Sequence, residues 1–348
     1  MNPSIFAVGL LGALLGLSAC GDSSSVNGFA SEPPFETSQA RLDEALICTP
    51  FEHPDKPPVL LVHGTGTAGF EQFEWTYLPL LVERGFDVCF VTYPDRGLND
   101  MQISAEYVVN ALRRMQAETG RKVAMIGHSQ GALMPRWALK WWPSARDAVA
   151  DFVLLAGPNH GTAIANLNPL GLLPDLPLPG LGLPEVLFQF TTGSQFIAAL
   201  NAGDETPGDI DYTSLYTLFD ELVQPARPVA TAGLDRDQNN PRVTNLLLQD
   251  LCPGRLVDHL TIGLTDRLTF ELVLDAISNP GPADIERAGG ASGLCGLLPI
   301  IPDQIISPAA ATALASILRQ SAAAGLPTIN LVTEEPPLKG YAQGAITP

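Results

Sequence analysis

From Pro57 to Pro158, short apolar runs alternate with longer stretches of helical period. "PVLLVHG", "FDVCFVTYP", "KVAMIGHS" and "DFVLLAGP" have strand length and are apolar almost throughout, as strands covered on both faces must be. Between them lie "FEQFEWTYLPLLVERG", "ISAEYVVNALRRMQAETG" and "ALMPRWALKWW", each read as one helix. Strand and helix in strict alternation predict a mostly parallel sheet with helices on both sides.

Beyond residue 160 the texture changes. "IANLNPLGLLPDLPLPGLGLPEVLF" is Leu, Pro and Gly with almost no charge. Its prolines forbid a long regular helix and its leucines resist solvation, so it reads either as a loop packed on the core or as a cap over an apolar pocket, spanning about 163–200. Farther on, "TSLYTLFD" reads as a strand and "GLTDRLTFELVLDAI" as a helix. "SPAAATALASILRQSAAAGL" reads as a C-terminal helix opened by Ser307 and Pro308.

The third apolar run ends in Gly127-His128-Ser129-Gln130-Gly131, with a helix-like stretch behind it. That is the strand-turn-helix setting of a nucleophile elbow, in which a serine on a strained turn needs neighbours without side chains two residues to either side. Pro135 removes a backbone donor early in the following helix, so a kink or a distorted first turn is expected there.

A serine hydroxyl is a weak nucleophile without a base, and the base needs an acid to orient it. On this scaffold the partners follow in the order serine, acid, histidine. His53 and His63 precede the serine, and His160 leaves only Asp147 and Asp151 in between, both too early for the acid. His128 touches Ser129 in sequence, but neighbouring side chains leave a strand toward opposite faces, so its ring is not expected to reach the hydroxyl. His259 remains as the base. For the acid, Asp220 closes the apolar run "TSLYTLF", at the carboxyl end of a strand where such sheets build their sites. Asp258 is set aside for its adjacency to His259, and Asp209, Asp211 and Asp250 are weaker alternatives. Oxyanion donors are expected from the backbone of Gln130 and from Thr65 in the Gly-rich turn "LVHGTGTAG".

Composition narrows the function classes. The 348-residue chain is 46% apolar and 16% charged, enough for one large domain, and its net charge of −18 excludes a phosphate-binding nucleic-acid surface. "DRDQNN" at 235–240 starts like a calcium loop, but Asn240 and Leu246 stand where Gly and Glu are needed, so no metal is assigned. The apolar run Ile5–Leu17 has the length of a signal-peptide core, and Leu17-Ser18-Ala19-Cys20 resembles a lipobox. Residues 1–19 are therefore read as a leader, Cys20 as a lipidated first mature residue, 20–40 as a polar spacer and 41–348 as one catalytic domain. The chain is expected to be exported, as a membrane-anchored lipoprotein or a secreted protein. Four cysteines then remain for an oxidising compartment. Of three possible pairings, the two sequence-local ones, Cys48–Cys89 and Cys252–Cys295, are favoured.

These residues together resemble the Candida antarctica lipase B family of α/β-hydrolases. The likeness is carried by "LICTP", "VHGTGTAG", "LNDMQISAEYVVNAL", "SQGALMPRWAL", "TTGSQFIAALNAG", "SLYTLFDELVQP", "LVDH" and "YAQGAITP". It implies the α/β-hydrolase fold, Ser129, Asp220 and His259 as catalytic residues, Thr65 and Gln130 as oxyanion donors, and the same two disulfides. It raises Asp220 over Asp258. Thr67, His128, Asn159 and Phe190 are expected to line the pocket. The chain departs from that family at His128, where the fungal lipase has Trp, at Gly127, in its cap and in lacking a third disulfide. The expectation is a cofactor-independent, monomeric lipase or esterase acting on lipid esters at an interface. A polyester or phospholipid hydrolase is the alternative, and a non-catalytic lipid-holding lipoprotein the different class.

Overall fold

The computed structural model describes residues 32–163, 182–235, 240–298 and 329–346. Among these, seven strands form one sheet: β1 (Leu46–Cys48), β2 (Val59–Val62), β3 (Val88–Val91), β4 (Val123–His128), β5 (Val149–Leu155), β7 (Asp211–Tyr216) and β8 (Val243–Leu247). A small separate pair joins β6 (Leu183–Pro184) to β9 (Leu331–Val332). The large sheet runs β1-β3-β2-β4-β5-β7-β8, parallel except for β1, which lies antiparallel on β3.

Strand periodicity divides the core into two. Leu60 and Val62 of β2, Cys89 and Val91 of β3, Val123 and Met125 of β4, and Phe152 and Leu154 of β5 face one side. They pack there on α1 (Gln39–Glu44), α4 (Met101–Thr119) and α5 (Leu133–Trp141). Their immediate neighbours Val59, Leu61, Val88, Phe90, Ala124, Ile126, Val153 and Leu155 face the other side. On that side lie α2 (Gly69–Phe73), α3 (Tyr77–Glu83) and α11 (Arg267–Ser278). Successive residues of a strand point to opposite faces, so an unbroken apolar run is what a doubly covered strand requires.

Several elements differ from the sequence reading, each for a local reason. The stretch 70–85 is two helices, α2 and α3, because Pro79 has no N–H to continue a helical ladder through Trp75. Trp75 Nε1 and Thr76 Oγ1 instead donate to the carbonyls of Glu71 and Gln72, at 2.7 and 2.6 Å. The stretch 263–277 belongs to α10 (His259–Leu264) and α11, separated at Thr265 and Asp266, where Asp266 caps α11 by accepting the Thr269 N–H at 3.0 Å. β7 stops at Tyr216, leaving Asp220 on the loop beyond it rather than at the strand terminus. β1 and β8 are strands the pattern did not announce, and β8 is only partly buried, as an edge strand is.

Residues 32–40 are no free spacer. Glu32 accepts from the Ser144 hydroxyl at 2.8 Å, Glu106 accepts the N–H groups of Glu36 and Thr37 at 2.9 and 2.8 Å, and Gln39 already opens α1. The compact unit accordingly begins at Glu32. Disulfides join Cys48 to Cys89, which are directly opposite in the β1–β3 register, and Cys252 to Cys295. Such bonds form and persist in oxidising compartments, which fits an exported protein. The stretch read from sequence as a leader with Cys20, most of the Leu/Pro-rich stretch read as a loop or cap, the rest of "DRDQNN" and the Ala-rich stretch read as a C-terminal helix lie outside the described residues.

Candidate active site

β4 delivers Ser129 to the carboxyl edge of the sheet. Ser129 has φ 56°, a left-handed conformation that costs a residue with a Cβ about 1–2 kcal/mol. The turn is forced by close approach on both sides. A Cβ on Gly127 would stand 2.0 Å from the Gly131 carbonyl oxygen, and one on Gly131 would stand 2.2 Å from that of Val62. The chain then makes one 3-10 turn, Ser129–Ala132, before α5 begins. This is the distorted first turn expected from Pro135, which sits three residues into α5.

His259 is the first residue of α10 and is buried. Its Nε2 lies 2.9 Å from Ser129 Oγ, and its Nδ1 lies 3.0 and 2.9 Å from the two oxygens of Asp220. A carboxylate only accepts, so Asp220 fixes the ring proton on Nδ1 and leaves Nε2 to accept the serine O–H. Asp220 is itself held: its Oδ1 accepts the N–H groups of Leu222 and Val223 at 2.9 and 2.7 Å. Asp258, the neighbour of His259, has a different task. It caps α10, accepting the Thr261 N–H at 2.7 Å. Asp209, Asp211 and Asp250 are engaged with arginines away from His259.

Thr65 and Gln130 meet as well. The Thr65 hydroxyl donates to Gln130 Oε1 at 2.6 Å, and Gln130 Nε2 donates to the Gly97 carbonyl at 2.9 Å. The Thr65 turn is braced by Arg96, whose Nη1 donates to the Gly66 carbonyl at 3.1 Å and whose Nη2 reaches buried Glu71 at 2.8 Å. Beside this turn, His63 stacks on Tyr93 with ring centroids 3.8 Å apart. Burial holds its pKa down at about 3.

A cavity of about 330 Å³ opens over Ser129. Thr67, His128 and Phe190 line it, as the sequence reading expects. Asn159 does not. Its amide turns inward to the Ala232 carbonyl at 2.7 Å, and its backbone carbonyl accepts from Arg136 and Asn201, so it braces the interior while Pro158 and Thr162 take the wall. Sequence reasoning missed Gln72, Trp75, Leu222, Val223, Leu260 and Leu264 at this cavity. For Leu222, Val223 and Leu260 a signal existed, since apolar residues next to the proposed acid and base must face whatever occupies the site. Gln72 left none, because a single amide in a five-residue helix carries no periodic signal of what it faces. Among the described residues, no cluster of three or more His, Cys, Asp or Glu is arranged around a metal position.

A sequence model of the alpha/beta hydrolase family matches residues 59–301. The chain belongs to this family. Within it, the chain is similar to lipase B of Pseudozyma antarctica, 33% identical over 289 residues that cover 80% of either chain. The triacylglycerol lipase of Pseudomonas fragi is 27% identical over 155 residues, covering 43% of this chain and 50% of that one. Among solved structures, Aspergillus fumigatus lipase B superposes with a TM-score of 0.77 at 28% identity, covering 94% of this chain and 77% of that one. The hydrolase sheet, the elbow and the resemblance to lipase B thus agree on one scaffold.

Proposed function

We propose that the protein is an exported carboxylic-ester hydrolase of the lipase and esterase class, acting on lipid esters through an acyl-enzyme on Ser129. The observation that carries this reading is the chain of hydrogen bonds from Ser129 through His259 to Asp220, opening into a cavity walled by Leu187, Phe190, Leu222, Val223, Leu260 and Leu264. Its similarity to lipase B supports the substrate class.

In the first half-reaction the Ser129 oxygen attacks the ester carbonyl while His259 Nε2 takes the hydroxyl proton. Asp220 stabilises the imidazolium and keeps the ring oriented. Charge developing on the carbonyl oxygen is met by the backbone N–H of Gln130 and by the N–H and hydroxyl of Thr65, each donor contributing on the order of 3 kcal/mol. To turn toward substrate, the Thr65 hydroxyl exchanges its bond to Gln130 Oε1 for one to the oxyanion. His259 then hands its proton to the leaving alcohol. Water enters, is deprotonated by the same nitrogen and releases the acid. Every step is carried by side chains and backbone donors of this chain.

The finer parts of the reading are a leader over residues 1–19, lipidation of Cys20, a cap or lid around 163–200 on a single catalytic domain, and a monomer. Mass analysis of the mature N-terminus tests the lipid. A titration of free acid released from emulsified triacylglycerol, run beside a soluble p-nitrophenyl butyrate assay, tests the activity. Both substrates are expected to be hydrolysed, with the emulsion giving a further rise in rate once an interface forms. Hydrolysis of neither would overturn the proposal.

A further inference from the structure

Two buried polar side chains beside the site take no part in the proposed chemistry, and their bonds form one continuous line. The backbone N–H of Gly64, next to Thr65, donates to Gln72 Oε1 at 2.9 Å. Gln72 Nε2 lies 3.0 Å from His128 Nδ1, and His128 Nε2 lies 2.8 Å from the backbone carbonyl of His259. Both ends are backbone groups of fixed polarity, which settles every proton between them. The His259 carbonyl can only accept, so His128 carries its proton on Nε2. Nδ1 therefore accepts from Gln72, whose amide oxygen is left for the Gly64 donor. Gln72 Oε1 also accepts from the Thr67 hydroxyl at 3.1 Å.

Packing holds the line in place. Gln72 and His128 are 2% and 4% exposed. α10 lies against the imidazole so closely that a Cβ on Gly263 would come 2.2 Å from His128 Cδ2. Burial, and after it the nearby His259, lowers the His128 pKa to about 3, so the ring stays neutral and the bond directions do not alternate through the working pH range.

We infer that Gln72 and His128 are positioning residues: they form a rigid bridge that fixes the distance and angle between the Thr65 turn and the base His259. The inference rests on the reading of Ser129 and His259 as nucleophile and base. Without the bridge, α10 is free to drift from the oxyanion turn by a fraction of an ångström. Displacements of about 1 Å can cost on the order of 100-fold in rate when a reaction depends on preset geometry. The effect falls on kcat, because the bridge makes no bond that substrate binding alone would miss.

The test compares four variants, His128→Phe, His128→Gln, Gln72→Leu and Gly263→Ala, on soluble p-nitrophenyl butyrate, with near-ultraviolet circular dichroism as the check on folding. Phe keeps an aromatic ring but no donor; Gln keeps a donor but no ring. The bridge requires kcat to fall roughly 10- to 100-fold in His128→Phe and Gln72→Leu, over and above any change in KM that follows from altering two residues of the cavity wall. His128→Gln should recover several-fold of that loss. Gly263→Ala, although alanine ordinarily favours a helix, should lose kcat by displacing the ring. If His128→Phe matches the wild type or outperforms His128→Gln, the ring is filler and the bridge is overturned. Ser129→Ala and His259→Ala are assayed alongside. Activity retained in those two overturns the catalytic assignment itself and the bridge with it, whereas activity lost in them and kept in the bridge variants overturns the bridge alone.

Discussion

Ser129 and His259 face each other across 2.9 Å, yet they reach that distance by different routes. The serine arrives at the end of a central strand buried along its whole length, on a turn pinned by Gly127 and Gly131 against backbone. The acid arrives on the loop beyond β7, where Asp220 is held by the N–H groups of Leu222 and Val223, and the base arrives beyond β8 as the first residue of α10. These segments also expose Leu218, Phe219, Leu256 and Leu260. One side is set by sheet register and steric exclusion, the other by a few directed hydrogen bonds. Errors on the first side should therefore disturb the fold, and errors on the second should disturb the chemistry.

The largest effect is expected on the base side. Asp220→Asn keeps an oxygen for the Leu222 and Val223 donors but no longer fixes the His259 tautomer, so kcat should fall about 10⁴-fold with little change in the unfolding midpoint. A fall of that size accompanied by unfolding would blur the contrast between the two sides. On the serine side, Arg96→Met strands Glu71 in a buried position and frees the Gly66 carbonyl, which should cost about 3–5 kcal/mol in urea unfolding. Activity measured on the fraction that remains folded should decline less steeply than in Asp220→Asn. An unchanged urea midpoint would show that the turn does not need its brace.

A smaller effect follows from the two histidines near the serine. His63 and His128, held by burial at about 3 against 6.5 in the free chain, take up protons on unfolding as the pH falls below 6.5. Their contribution is complete above pH 6.5 and is lost on acidification by roughly 1.4 kcal/mol per pH unit for each ring. Asp151 on β5 works the other way. Burial first, and the neighbouring Asp211 second, raise it to about 7, so its contribution is full below 3.8 and is lost as the pH rises toward 7. Urea unfolding between pH 5 and 6.5 should thus show a shallower acid loss in His63→Phe and a steeper one in Asp151→Asn. Equal slopes in all three proteins would contradict this assignment. The smallest effect belongs to Asp258→Ala, which removes the cap of α10 for about 1 kcal/mol of stability while leaving the acid in place. A kcat loss as deep as that of Asp220→Asn would reverse the roles given to these two carboxylates.

The same contrast explains what could be read from the sequence. The serine side was legible because its determinants are local. Apolar runs announce β2 to β5, and Gly127 and Gly131 announce a turn that no residue with a Cβ could complete. Pro135 announced a disturbed helix start, and the structure has a 3-10 turn there. The base side was legible only as an order of residues along the chain. Whether Asp220 or Asp258 meets His259 depends on a helix cap and on where β7 ends, and neither leaves a periodic signal. Asn159 was misplaced for the same reason: a polar residue just past a strand can face the pocket or the interior, and here Ala232 and Arg136 draw it inward. The Gln72–His128 line lay beyond the sequence altogether, because it joins residues 56 positions apart through side-chain atoms alone.

The central claim is that His259, oriented by Asp220, activates Ser129. Its most direct test is the rate and site of covalent labelling by a fluorophosphonate, followed by intact mass and peptide mapping in the wild type, Ser129→Ala and His259→Ala. The expected result is one adduct on Ser129 in the wild type, none in Ser129→Ala, and labelling slowed by at least about 10³-fold in folded His259→Ala. An adduct on another residue, or His259→Ala labelling at the wild-type rate, would contradict the claim.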